Sequence, residues 1–172
     1  MTDNAPQRVQ ASNASPVIIR PAARADLPAI GRLGALLVRL HHAFDPQRFI
    51  AAAPNTDRFY AEFIETQLGE PTVVVLAAER NGEVVGYSYA GVEGTDYMAL
   101  RGPAGAVYDI VVDPAHRGQG VGQLLLDTTL SALAEMGVPR VVLSTAEKNE
   151  AAQRLFASAG FRRTMIEMTR EL

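Results

Sequence analysis

The chain has 172 residues, 48% apolar and 20% charged, with a formal net charge of −3 and no cysteine. That length and balance suit one domain with a sizeable core, and the acidic charge gives no footprint for nucleic acid or an anionic membrane surface. The lack of cysteine removes disulfides, thiolate metal sites and thiol catalysis. No apolar run is long enough to cross a bilayer, and MTDNAPQRVQASNAS at the start lacks the apolar core of a secretory leader. Residues 1–15 therefore read as a flexible polar tail and residues 16–172 as a single domain, with a cytoplasmic location expected.

VIIR (17–20) predicts a short strand. Asp26 is expected to cap a helix with Leu27, Ile30, Leu33, Leu37 and Leu40 along one stripe. HHAFDPQRF (41–49) reads as a loop. TDRFYAEFIETQL (56–68) predicts a second amphipathic helix, with Phe59, Phe63 and Ile64 facing inward. TVVVLAAER (72–80) and EVVGYSYAGV (83–92) are β-branched runs joined by Asn81-Gly82, a strong hairpin signal. GAVYDIVVD (105–113) predicts another strand. After a glycine-rich link, Leu126, Leu130, Leu133 and Met136 keep helical step until Gly137 and Pro139 stop them. RVVLST (140–145) predicts a strand, 149–158 a short helix closed by Gly160, and FRRTMIEMTREL (161–172) a final strand. The order β-α-α-β-β-β-α-β-α-β implies an α/β protein with one mixed sheet flanked by helices.

The link DPAHRGQGVG (113–122) carries most of the chemistry. Gly118, Gly120 and Gly122 follow Arg117 between a strand and a helix. A helix start offers unpaired N–H groups and the positive end of the macrodipole, and missing side chains let a phosphate approach them. Taken alone, three glycines can also serve simply as a sharp turn. The dinucleotide fingerprint needs its third glycine where Gln123 stands, and the P-loop needs Lys-Ser/Thr where Gln123 and Leu124 stand. Arg117, Gly120 and Gly122 do satisfy Arg/Gln-x-x-Gly-x-Gly/Ala after a strand. Further on, NEAAQRLFASAGF supplies Asn149, Ala152, Leu155, Gly160 and Phe161 in a second pattern at a matching distance. With both patterns in register, the chain from about Val17 to its end resembles the GNAT superfamily of N-acetyltransferases.

The resemblance implies a fold whose fourth and fifth strands splay apart to take acetyl-CoA, used as a cosubstrate without a metal. It implies that Arg117, Gly118, Gln119, Gly120, Val121 and Gly122, with Gln123 opening the helix, hold the pyrophosphate. Ile110, Val111 and Val112 would pair with the pantetheine, and an N–H in that segment would polarise the thioester carbonyl. Asn149, Ala152 and Phe156 complete the cofactor set, although Asn149 is also a good helix N-cap. Phe156 stands where the family often has a tyrosine that protonates the leaving thiolate. A thiol of pKa about 8.5 makes thiolate release at pH 7 cost only about 2 kcal/mol, so a missing acid does not abolish the reaction. Tyr108 and Ser158 are substitute hydroxyls.

The acceptor amine must be neutral to attack. Deprotonation at pH 7 costs about 4.6 kcal/mol for a lysine amine and about 1 kcal/mol for an α-amine. Asp109, Tyr108 and Glu93 are the candidate bases; Asp109 interrupts an apolar strand and is either functional or part of a structural ion pair. The acceptor pocket is expected from His42 and Asp45 in the first inter-helix loop and from Glu93 before the fourth strand, with His41, Arg48, Asp96, Tyr97 and Arg101 nearby. Adjacent histidines on a helix diverge by about 100°, which suits packed rings or helix-end cations better than one metal ion. The expected activity is direct acetyl transfer, without a cysteine acyl-enzyme, to a small-molecule or peptide amine. A homodimer is compatible with the resemblance. The alternative is a non-catalytic acyl-CoA sensor of the same fold.

Overall fold

A computed structural model of the chain describes residues 15–172. The expected tail lies outside the described residues except for Ser15. Strands β1 (Ile18–Pro21), β2 (Val73–Arg80), β3 (Glu83–Glu93), β4 (Ala104–Val112) and β5 (Val141–Leu143) form one sheet in that order. The first three pairings are antiparallel and β4–β5 is parallel. The turn between β2 and β3 puts Asn81 at φ 54° and Gly82 at φ 80°, the left-handed pair that a two-residue hairpin requires.

Helices α1 (Leu27–Phe44) and α2 (Thr56–Gln67) cover one face, and α3 (Val121–Glu135) covers the other. Leu27, Ile30, Leu33 and Ile64 pack on Val75, Tyr87 and Val111. Across the sheet, Val121, Leu125 and Leu133 pack on Val74, Leu76 and Val107. A short helix α4 (Glu150–Ser158) follows β5. Each layer buries the stripe that its 3.6-residue or two-residue period sets. Among the described residues no helix is long and apolar enough to cross a membrane.

Four local expectations change. Asp26 starts α1 but its side chain does not cap it. It accepts the Ala23 N–H at 2.8 Å and pairs with Arg20 at 2.7 Å, which tethers β1 to the helix and holds the carboxyl below its usual range. Helix α1 continues through His41 and His42 to Phe44, because the His41 ring packs edge-on against Phe44 and Phe49. On α2 the buried residue is Ile64, whereas Phe59 and Phe63 are 54% and 47% exposed. The final strand does not form: 161–172 has no regular structure, with Met165, Ile166 and Met168 exposed. These apolar positions do not alternate, and β5 offers an edge of only three residues. Side-chain bonds of Glu167 to Arg48 and of Arg163 to Gln153 hold this segment instead.

Strand β4 is irregular where it matters. Tyr89 pairs with Asp109 but Ala90 pairs with Val107, so Tyr108 is an extra, bulged residue. The β4–β5 pairing covers Gly105 to Val107 and stops there. From Tyr108 to Val112, β4 continues beside β3 alone, leaving its other edge unpaired within the sheet. A bulge bends the strand that carries it, which accounts for the separation starting at this point. The expected splay of the fourth and fifth strands is thus present.

Candidate active site

The glycine loop lies at the end of β4. Pro114–His116 makes a single 3₁₀ turn, capped by the Asp113 carboxylate on the Ala115 N–H at 2.9 Å. Gly118 (φ 71°) and Gly120 (φ 81°) take left-handed conformations that a Cβ would strain. Among the described residues no acceptor meets the N–H groups of residues 118 to 123. They form a row of free donors at the start of α3. Arg117 folds back and donates Nε–H to the Val112 carbonyl at 3.0 Å. From the far end of β2, Arg80 donates to Gln119 Oε1 at 2.5 Å and to His116 Nδ1 at 3.2 Å. An open groove of about 710 Å³ runs beside the loop, past Arg80, Gly118, Gly120 and Leu124.

Helix α4 packs against the same corner. A Cβ on Gly122 would lie 3.4 Å from Leu155 and 3.7 Å from Val112, so the start of α3 sits close to both α4 and β4. The Asn149 side chain caps α4 by accepting the Ala152 N–H at 3.3 Å. Phe156 is buried, its ring 6.0 Å from that of Phe161. Ser158 donates to the Leu155 carbonyl at 2.8 Å and approaches Gln123 at 3.4 Å.

On the opposite face of β4, Asp109 points towards α2. Tyr87 of β3 donates to Asp109 Oδ2 at 3.1 Å, and Tyr60 of α2 donates to the same oxygen. Among the described residues none donates to Oδ1. Among the described residues no cation is paired with this carboxyl, and burial pushes its pKa up to about 7. It is not the structural ion pair that the sequence left open. The bulge puts Tyr108 on the same face, where its hydroxyl donates to Glu93 at 2.9 Å. Burial, and then Glu93, raise the Tyr108 pKa to about 12, so it holds its proton at neutral pH. Arg101 neutralises Glu93 through an ion pair. Tyr89 stacks on Tyr108 with centroids 4.8 Å apart and donates to Gln67 at 3.1 Å.

Residues His42 and Asp45 are occupied locally. His42 Nδ1 meets the Phe49 carbonyl at 2.8 Å, and Asp45 accepts the N–H groups of Gln47 and Arg48 at 3.1 and 3.3 Å. They shape the loop after α1, whereas Glu93, Tyr108 and Asp109 share one face of the β3–β4 pair.

The model of the acetyltransferase (GNAT) family matches residues 37–161. The chain belongs to this family. Mycothiol acetyltransferase of Thermobispora bispora is 40% identical over 95 residues, which cover 53% of this chain and 30% of that protein. The corresponding enzyme of Thermomonospora curvata is 31% identical over 124 residues, covering 70% of this chain and 39% of that protein. The chain thus matches well under half the length of these relatives. The aminoglycoside N-acetyltransferase AAC(6')-Iy, solved in complex with CoA, has the same fold, with a TM-score of 0.69 at 18% identity over 94% of this chain and 98% of that one.

Three residues of this GNAT site are invisible in the motifs: Tyr60, Tyr87 and Arg80. Each reaches its partner across the sheet or between layers, over 49, 22 and 39 residues of chain. The only local hint is a polar aromatic inside an apolar strand, as at Tyr87.

Proposed function

We propose that residues 16–172 act as a single N-acetyltransferase unit that moves an acetyl group from acetyl-CoA directly to a primary amine. The observation that carries this reading is a single strand, β4, whose edge is unpaired from its bulge onward, with a buried carboxyl on one face and a loop of free N–H donors after its end. The CoA complex of a protein with the same fold supports the donor, and the acetyltransferase names of the relatives support the group transferred. Acetyl-CoA supplies an activated thioester carbonyl.

The N–H groups of Gly118 to Gln123 would hold the pyrophosphate, with Arg117 closing the loop. The edge of Ile110, Val111 and Val112 that no strand covers, with the Val112 carbonyl taken by Arg117, would pair with the pantetheine, and an N–H there would stabilise negative charge on the carbonyl oxygen. Asn149, Ala152 and Phe156 would flank its reactive end. Asp109, with a pKa of about 7, would take the ammonium proton through Oδ1. Tyr108 keeps its proton at neutral pH and would act only as a donor.

The test has two parts. CoA should raise the Tm of the wild type, because a ligand of the native state stabilises it. Gly120→Val should abolish that rise while remaining folded. Thiol release with a panel of amines should exceed background aminolysis. A full CoA shift in the variant would remove the cofactor assignment. The second reading, an acyl-CoA sensor, draws on the missing hydroxyl at Phe156. A wild type that binds acetyl-CoA and never exceeds background would favour it, and Phe156→Tyr would then switch turnover on.

A further inference from the structure

We propose that the acceptor carries one amine on an apolar or aromatic body, as a peptide N-terminus with a hydrophobic side chain does, and is not a polycation. This inference rests on the transferase reading above.

The charges on the acceptor-side face make the first argument. On the strands themselves two carboxylates lie there, Glu93 and Asp109, and Asp96 in the loop after β3 accepts the Met98 and Ala99 N–H groups and lies 4.0 Å from Arg101. Glu93 is taken: Arg101 pairs with it and Tyr108 donates to it at 2.9 Å. Asp109 has one oxygen filled by the hydroxyls of Tyr60 and Tyr87. One carboxylate oxygen is left, and it matches one ammonium. A polyamine or an aminoglycoside would bring several ammonium groups against a face whose other carboxylates, Glu93 and Asp96, already have partners, and its further ammonium groups would lose hydration with little compensation.

The second argument is the surface around that oxygen. Tyr89 is the cross-strand neighbour of Asp109, and the bulge sets Tyr108 beside it. Phe63 of α2 meets the Tyr89 ring edge-on at 5.7 Å, so three rings form a continuous wall. Phe63 is 47% exposed and Tyr108 44% exposed, although both adjoin buried neighbours. A helix that buries Ile64 and leaves Phe63 open presents apolar area that an apolar acceptor would cover. The same rings can receive a single cation on their faces but offer little to a hydrophilic, multiply charged one.

Thiol release at saturating acetyl-CoA tests the idea with five acceptors: phenylalanyl-leucine amide, 2-phenylethylamine, glycinamide, spermidine and kanamycin. Phenylalanyl-leucine amide should exceed glycinamide, an α-amine of similar basicity, in kcat/KM by about 10-fold or more, the discrimination that covering one ring supplies, and 2-phenylethylamine should do so once rates are compared per neutral amine. Spermidine and kanamycin should not exceed glycinamide. The dipeptide against the free arylalkylamine separates the two carriers of this chemistry. Phe63→Ser should shrink the aromatic-to-glycinamide ratio about 10-fold while the KM for acetyl-CoA moves less than about twofold. A Tm close to wild type will show that the exposed substitution leaves the fold intact. A preference for either polycation, or an unchanged ratio in Phe63→Ser, overturns the acceptor class and leaves the transferase reading standing. No turnover with any of the five, in a protein that CoA stabilises, overturns both.

Discussion

Two tyrosine hydroxyls on one carboxylate oxygen hold Asp109 with neutral donors only, so nothing offsets its burial by charge. Its folded pKa is about 7 against an ordinary value of 3.8. For a carboxyl raised in this way the native state binds the extra proton, so stability falls as pH rises from about 4 to 7 and levels off above. Asp109→Asn keeps an acceptor for the tyrosines and removes the ionisation. Thermal melts should show the variant above wild type at pH 8 by at most about 4 kcal/mol, converging with it below pH 4. The same variant should lose kcat/KM, and with it the acid limb near pH 7. Tyr60→Phe removes a donor to the charged form, so Asp109 should titrate higher and the acid limb should move up by about one unit. The hydroxyls of Tyr60 and Tyr87 meet the carboxyl and Tyr89 is its cross-strand neighbour, with the bulged Tyr108 beside it. An acid limb that stays in place would return Tyr60 to packing alone.

Tyr60 reaches Asp109 because α1 and α2 approach closely. Gly31 and Gly34 face α2, and a Cβ at either would overlap the Asp57 carbonyl or the Tyr60 ring. Alanine in a helix gains about 1 kcal/mol over glycine, whereas overpacking against a ring costs about 1–3 kcal/mol. Overlap wins at Gly34, and Gly34→Ala should lower the Tm by a few degrees and depress turnover by displacing Tyr60. A higher Tm would mean that the helices part without loss. This pairing also shows what the sequence could and could not convey. The hairpin at Asn81-Gly82, the glycine loop and both helix periods depend on neighbours in the chain, and they were legible. The inner face of α2 was not. Hydrophobicity ranks Phe59 and Phe63 above Tyr60, but the choice is made by a glycine on α1 and a carboxyl on β4. The last strand failed for a related reason, since the edge that β5 offers is only three residues long.

The glycine loop follows the end of β4 and the Asp109 carboxyl lies on the face of β4 that α2 covers, so under the proposed reaction each reactant would have its own approach. The terminal segment takes little part in this arrangement. Its apolar residues are exposed and its ties are solvent-facing, a class of contact that contributes little. Removing residues 164–172 should therefore leave the Tm within about 2 °C and the CoA-induced shift intact. A large loss in either would give the segment a structural role. The bulge has a wider consequence. Val107 and Ile110 both pack towards α3, three positions apart where a regular strand would need two or four. Deleting Tyr108 would leave every other side chain of β4 on its present face and every pairing with β3 in place. The sheet has no use for that ninth residue, and without it β4 could run straight and keep β5 at its side. The separation of β4 from β5 starts at the one residue by which β4 exceeds its β3 register, so a single-codon deletion of Tyr108 should narrow it and leave the core intact.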